Sequence, residues 1–147
     1  MGLSEGVYRI TCEDGQLVLF ASPSGLVGEP ILCVYGEDDQ FTPVHVRPHG
    51  GDKYILTPVG PHMSGGPVIA IRRDADDQVV TLLSPGPENI TEWAIDSSGG
   101  DTCTLQPGPE TGLGGMHWTA MGHRRPIVLQ GLEGRPTQNW KFKKLDE

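Results

Sequence analysis

The sequence predicts an all-β domain in which twelve short strands fall into three similar units. Three observations predict it. Glycine and proline supply 21 and 13 of the 147 residues, and that density of turn formers leaves room for short strands but not for long helices. Apolar and polar side chains alternate over short runs, the period of a half-buried strand. The same succession of runs then returns about every 48 residues.

The opening run of each unit is SEGVYRITC at 4–12, GGDKYILTP at 50–58 and GGDTCTLQP at 99–107. The last two share Gly, Gly, Asp, Leu and Pro. Asp52 and Asp101 lie 49 positions apart, and Tyr8 precedes Tyr54 by 46. A second run follows as QLVLFAS, PVIAIRR and MHWTAMG, and a third as PILCVYG, QVVTLLS and PIVLQGL. In the third, Leu32, Val80 and Val128 are spaced by 48. The closing run is TPVHVRP, TEWAIDS and TQNWKFK, which places Val44, Trp93 and Trp140 at intervals of 49 and 47.

Several families of positions with one period mark an internal repeat. Three units are fewer than the four to eight blades of a propeller. They fit a β-trefoil, in which six strands close into a barrel without open edges and six form capping hairpins. The expectation is one β-trefoil domain over 1–147, with repeats near 5–49, 50–98 and 99–147. Val44, Trp93 and Trp140 then plug equivalent core positions.

Composition narrows the function. A chain with 36% hydrophobic and 20% charged residues is ordinary globular material. A net charge of −8 argues against nucleic acid, which requires a Lys/Arg footprint, and against an anionic membrane surface. Cys12, Cys33 and Cys103 are odd in number and widely spaced, as expected of free thiols in a reducing compartment. MGLSEGVYRI lacks the basic and apolar regions of a secretion signal, so a cytoplasmic monomer is expected. The sequon Asn89-Ile90-Thr91 is read as chance.

The opening GVYRI, GGDKYIL, TEWAID and the closing QNWKF resemble the small intracellular β-trefoil protease inhibitors of mushroom-forming fungi. These comprise the mycocypins, which inhibit cysteine proteases, and a related group that inhibits trypsin-type serine proteases. The resemblance spans the whole chain and lies nearer the serine protease group. It implies a non-enzymatic hydrolase inhibitor, serving defence or the control of endogenous proteases, that presents a rigid, substrate-like loop to its target.

In that group the loop between the second and third strands carries the specificity residue in some members. Here it is SPSGLVGEP, with Ser24, Gly25, Leu26, Val27, Gly28 and Glu29 as first-choice contact residues. Two apolar residues at a glycine-flanked tip suit a chymotrypsin-like pocket (Leu26) or an elastase-like one (Val27), whereas trypsin's acidic pocket requires Lys or Arg. Arg124 and Arg125 in HRRP, and Arg135 in GLEGRPTQ, are second choices for a trypsin-like enzyme. Pro136 after Arg135 is ill suited to a scissile position. Arg73-Asp74 is a further candidate beside Asp76 and Asp77.

The mycocypin alternative uses other loops: CEDGQ at 12–16, the acidic GEDDQF at 36–41, and VGPHMSGGP at 59–67, which lacks the asparagine used against legumain. The other alternative is a trefoil lectin, for which Trp118 is a candidate sugar platform with His117 or Glu110 as partner. An enzyme has no motif to support it. The five histidines are scattered, with no zinc spacing and no GxSxG or phosphate loop, so neither catalytic residues, metal nor cofactor is expected.

Overall fold

Alternation in GVYRITC puts Tyr8, Ile10 and Cys12 on one face, and all three are buried. KYILTP buries Tyr54, Leu56 and Pro58 in the same phase. The computed structural model describes residues 3–12, 17–21, 27–35, 41–50, 53–59, 67–72, 78–99, 102–108, 111, 115–133 and 136–145. Its strands are β1 (Gly6–Cys12), β2 (Leu17–Phe20), β3 (Leu32–Tyr35), β4 (Val44–Pro48), β5 (Lys53–Pro58), β6 (Val68–Arg72) and β7 (Thr81–Leu83). They continue as β8 (Asn89–Ile90), β9 (Trp93–Gly99), β10 (Thr102–Pro107), β11 (Met116–Thr119), β12 (Arg125–Pro126), β13 (Val128–Gly131) and β14 (Trp140–Lys144).

Six strands close a ring of antiparallel neighbours, β1–β14–β10–β9–β5–β4 and back to β1. Closure removes the free edges that an open sheet would expose. The registers repeat with the sequence. Tyr8 stands opposite Val44, Tyr54 opposite Trp93, and Cys103 opposite Trp140. Three hairpins, β2–β3, β6–β7 and β11–β13, form the cap.

The described residues thus hold fourteen strands rather than the twelve expected. The two extra ones are two-residue ladders. β12 pairs with β3, and its counterparts in the other units are the single bridges Pro30–Thr81 and Val79–Val128. β8 pairs with β6, where the corresponding contacts elsewhere are Thr42 N–H to Leu19 O and Ala120 N–H to Thr137 O. Segments this short carry no readable period.

The threefold relation is visible in one ring of backbone hydrogen bonds. Ile31 N–H donates to Val80 O, Val80 N–H to Ile127 O, and Ile127 N–H to Ile31 O, at 2.9, 2.8 and 2.9 Å. All three side chains are buried. The spacing anchors Leu32 and Val128 are half-buried instead, because the inward face of β3 and β13 is one residue earlier than a continuous apolar run reveals.

Trp93, Trp118 and Trp140 fill the core edge to face, with centroids 5.2 Å apart for Trp93–Trp118 and 5.8 Å for Trp118–Trp140. Trp93 Nε1 donates to Ile69 O at 2.8 Å and Trp140 Nε1 to Trp118 O at 3.2 Å. The acceptors are equivalent residues, 49 positions apart. Val44 takes the tryptophan's place in the first unit, where no ring N–H requires a partner. Cys12 and Cys33 are buried and Cys103 is half-buried, and none of the three is in a disulfide.

Candidate functional site

The candidate loops in SPSGLVGEP, RRDADDQ and HRRP join the two strands of the three cap hairpins, so they are one loop in three versions. Each is fastened to the third strand of another unit. Residues 27–31 lie against β7, 78–80 against β13, and 124–127 against β3. Their C-terminal flanks meet in the Ile31–Val80–Ile127 ring, so these loops emerge around one axis.

In the first loop, Gly28 N–H donates to Leu82 O at 2.6 Å and Leu82 N–H returns to Glu29 O at 2.9 Å. Gly28 has φ of 100°, a conformation that costs glycine nothing and other residues appreciable strain. A Cβ there would meet only an Arg72 guanidinium nitrogen, at 3.8 Å. Val27 is 53% exposed just ahead of this clamp. Ser24, Gly25 and Leu26 lie outside the described residues, as does Arg135.

The third loop turns more tightly. Arg125 N–H donates to Gly122 O at 3.2 Å, closing a four-residue turn, and Arg124 N–H donates to Cys33 O at 2.6 Å. Arg124 has φ of 64°, as the third position of a type II turn demands. Both arginines are exposed, and neither has an ion-pair partner among the described residues. His123 lies flat on Tyr35, with ring centroids 4.2 Å apart and planes 6° from parallel. The Tyr35 backbone N–H donates to His123 Nδ1 at 3.1 Å. Sequence reasoning missed this pair, whose members are 88 positions apart and share no local motif.

The base of the loop that carries Arg135 is braced by Gln138, which is fully buried. Its Oε1 accepts from Glu133 N–H at 2.7 Å, and its Nε2 donates to Gly131 O at 2.8 Å and Thr119 Oγ1 at 3.2 Å.

Trp118 is no sugar platform, since it is 0% exposed and lies between Trp93 and Trp140. Its flanking residues His117 and Thr119 are buried too, with polar atoms satisfied locally by Gly115 O and His117 O. Glu110 is outside the described residues, as are 13–16, 36–40 and 60–66 of the mycocypin-type loops and Arg73-Asp74. Asn89 of the sequon is buried, with Nδ2 donating to Ser84 O at 2.8 Å, which withholds it from a glycan. Among the described residues no cluster of His, Cys, Asp or Glu is arranged to hold a metal. No helix there is long and apolar enough to cross a membrane.

No family model matches the chain, and no curated protein does. Solved structures do. A mosquitocidal holotoxin superposes with a TM-score of 0.79 at 13% identity, covering 98% of this chain and 18% of the toxin. This chain therefore spans less than a fifth of that protein's length. The designed threefold-symmetric protein ThreeFoil matches with a TM-score of 0.71 at 15% identity, over 95% of this chain and 99% of its own. The agglutinin of Rhizoctonia solani matches with a TM-score of 0.71 at 14% identity, over 99% of both chains. Identities this low show the fold alone, and that fold is a β-trefoil.

Proposed function

We propose that the chain is a non-enzymatic binding protein that inhibits a serine protease of chymotrypsin or elastase type through its first cap loop. The observation that carries the reading is the reciprocal backbone clamp between Gly28–Glu29 and Leu82, which holds the loop's exit while leaving Val27 exposed. Ordering a free peptide costs about 1–2 kcal/mol per residue, and a loop held in advance on a closed barrel avoids much of that cost on binding. Leu26 and Val27 supply apolar side chains of the size those pockets accept. The sequence resemblance to the fungal inhibitors supports the same assignment, with a cytoplasmic, monomeric inhibitor as the corresponding setting.

A second reading, carbohydrate binding, is favoured by a polar groove of about 240 Å³ lined by Gly86, Pro87, Asn89, Ile90, Thr91, Glu92 and Thr111. None of these described lining residues offers an aromatic ring against which a sugar face would stack, which places this reading second. One sample run against a panel of serine and cysteine proteases and on a glycan array separates them. Stoichiometric inhibition of a chymotrypsin- or elastase-type enzyme with an empty array is expected. Inhibition of cysteine proteases alone would assign the chain to the mycocypin type, and array binding without inhibition to the lectins.

A further inference from the structure

The third cap loop presents a chemistry that the first does not. Arg124 and Arg125 are exposed and without an ion pair among the described residues, on a chain whose net charge is −8. Beside them stands an exposed tyrosine locked under a histidine ring. Arg124 also occupies the left-handed region, which glycine or asparagine fills at lower cost. Stability alone gives no reason for arginine there, and such outliers point toward function.

Arg124 is not itself suited to be the residue a protease cleaves. A substrate strand lies extended in the cleft and offers its backbone for pairing. Arg124 is left-handed, and its N–H is already committed to Cys33 O. Its position relative to the first loop assigns it a different part. Arg125 pairs with Cys33, six residues beyond Val27 along the chain that leaves the first loop, so at most about 20 Å of extended backbone separates the two sites. A standard interface covers about 800 Å² of each partner, a patch roughly 30 Å across. A patch of that size centred between the two sites has room for Val27 and the arginines together.

We propose that Tyr35, His123, Arg124 and Arg125 form a second contact element for the same protease molecule, matching an acidic rim beside its active-site cleft. The stacked Tyr35–His123 pair fixes the turn, and the two guanidinium groups supply long-range attraction and orientation. The inference rests on the inhibitor reading, and it replaces two alternative heads with one composite face that binds a single enzyme.

The test measures association and dissociation rates of the full chain with an elastase- and a chymotrypsin-type protease, at low and high salt, alongside thermal unfolding. Charges at an interface rim act chiefly on the association rate. Arg124→Gly and Arg125→Ala are expected to slow association roughly three- to tenfold at low salt, a difference that fades at high salt as charges are screened. Arg124→Gly should meanwhile melt no lower than the parent, since glycine accepts the turn's φ. Val27→Asp should abolish inhibition, and titration should reach one enzyme per chain. If Val27→Asp abolishes inhibition while both arginine variants associate like the parent, the composite face is overturned and the first-loop reading stands. Two enzymes bound per chain would likewise overturn it. If no serine protease is inhibited by the parent chain, both proposals fall.

Discussion

The first and third cap loops occupy the same place in their units, and they solve the same anchoring problem with opposite chemistry. Each gives the N–H of a residue with positive φ to a carbonyl on another unit's third strand, Gly28 to Leu82 and Arg124 to Cys33, and the third loop adds a second positive φ at Gly122. At the first loop that position is glycine, which takes it without strain, beside an exposed apolar Val27. At the third it is arginine, flanked by a second arginine and a stacked histidine. The scaffold therefore dictates where the backbone is pinned and leaves the displayed side chains free. That is the arrangement a binding module needs, because side chains at the tip change without disturbing the core.

Breaking the shared foundation should remove both loops together. Trp118→Ala opens a cavity between Trp93 and Trp140 and takes away contacts around the axis. Its expected cost is about 3–5 kcal/mol, read by chemical denaturation. Gln138→Ala acts on one unit only. It removes the side-chain bonds to Glu133 N–H, Gly131 O and Thr119 Oγ1 near the hairpin that carries the third loop, at about 1–3 kcal/mol, and amide exchange should rise at Glu133 before it rises at Gly28. Gly28→Ala forces a side chain into φ of 100° and should cost about 1–2 kcal/mol, with loosening confined to the first loop and its β7 partner. Arg124→Gly should change stability by between nothing and a gain of about 1 kcal/mol, relief of the left-handed arginine being offset by glycine's greater chain entropy. A loss of more than that would mean the arginine side chain holds the turn, and the contrast between the loops would disappear.

The scaffold was readable because its period is carried by large side chains at fixed register. Tyr8, Tyr54 and Cys103 against Val44, Trp93 and Trp140 come directly from the repeat, and the barrel pairs them as the repeat implies. Trp118 was misread for a definite reason. It sits between His117 and Thr119, polar residues that normally mark a solvent-facing stretch, yet both are buried and satisfied by neighbouring backbone carbonyls. The axial residues Ile31 and Ile127 were missed by one position, since continuous apolar runs do not reveal which face points inward. The Tyr35–His123 pair depends on how the units interlock, and no local pattern encodes that. Loop positions 24–26 and 135 lie outside the described residues, and of the first-choice site Val27, Gly28 and Glu29 lie within them.

The most direct measurement is a titration of an elastase-type and a chymotrypsin-type protease with the parent chain and with Val27→Asp. Residual activity should fall linearly to zero near one chain per enzyme for the parent and stay near its starting value for the variant, whose carboxylate cannot be buried in an apolar pocket without large cost. Equal inhibition by both chains, or full activity of both enzymes at a large excess of parent chain, would contradict the account.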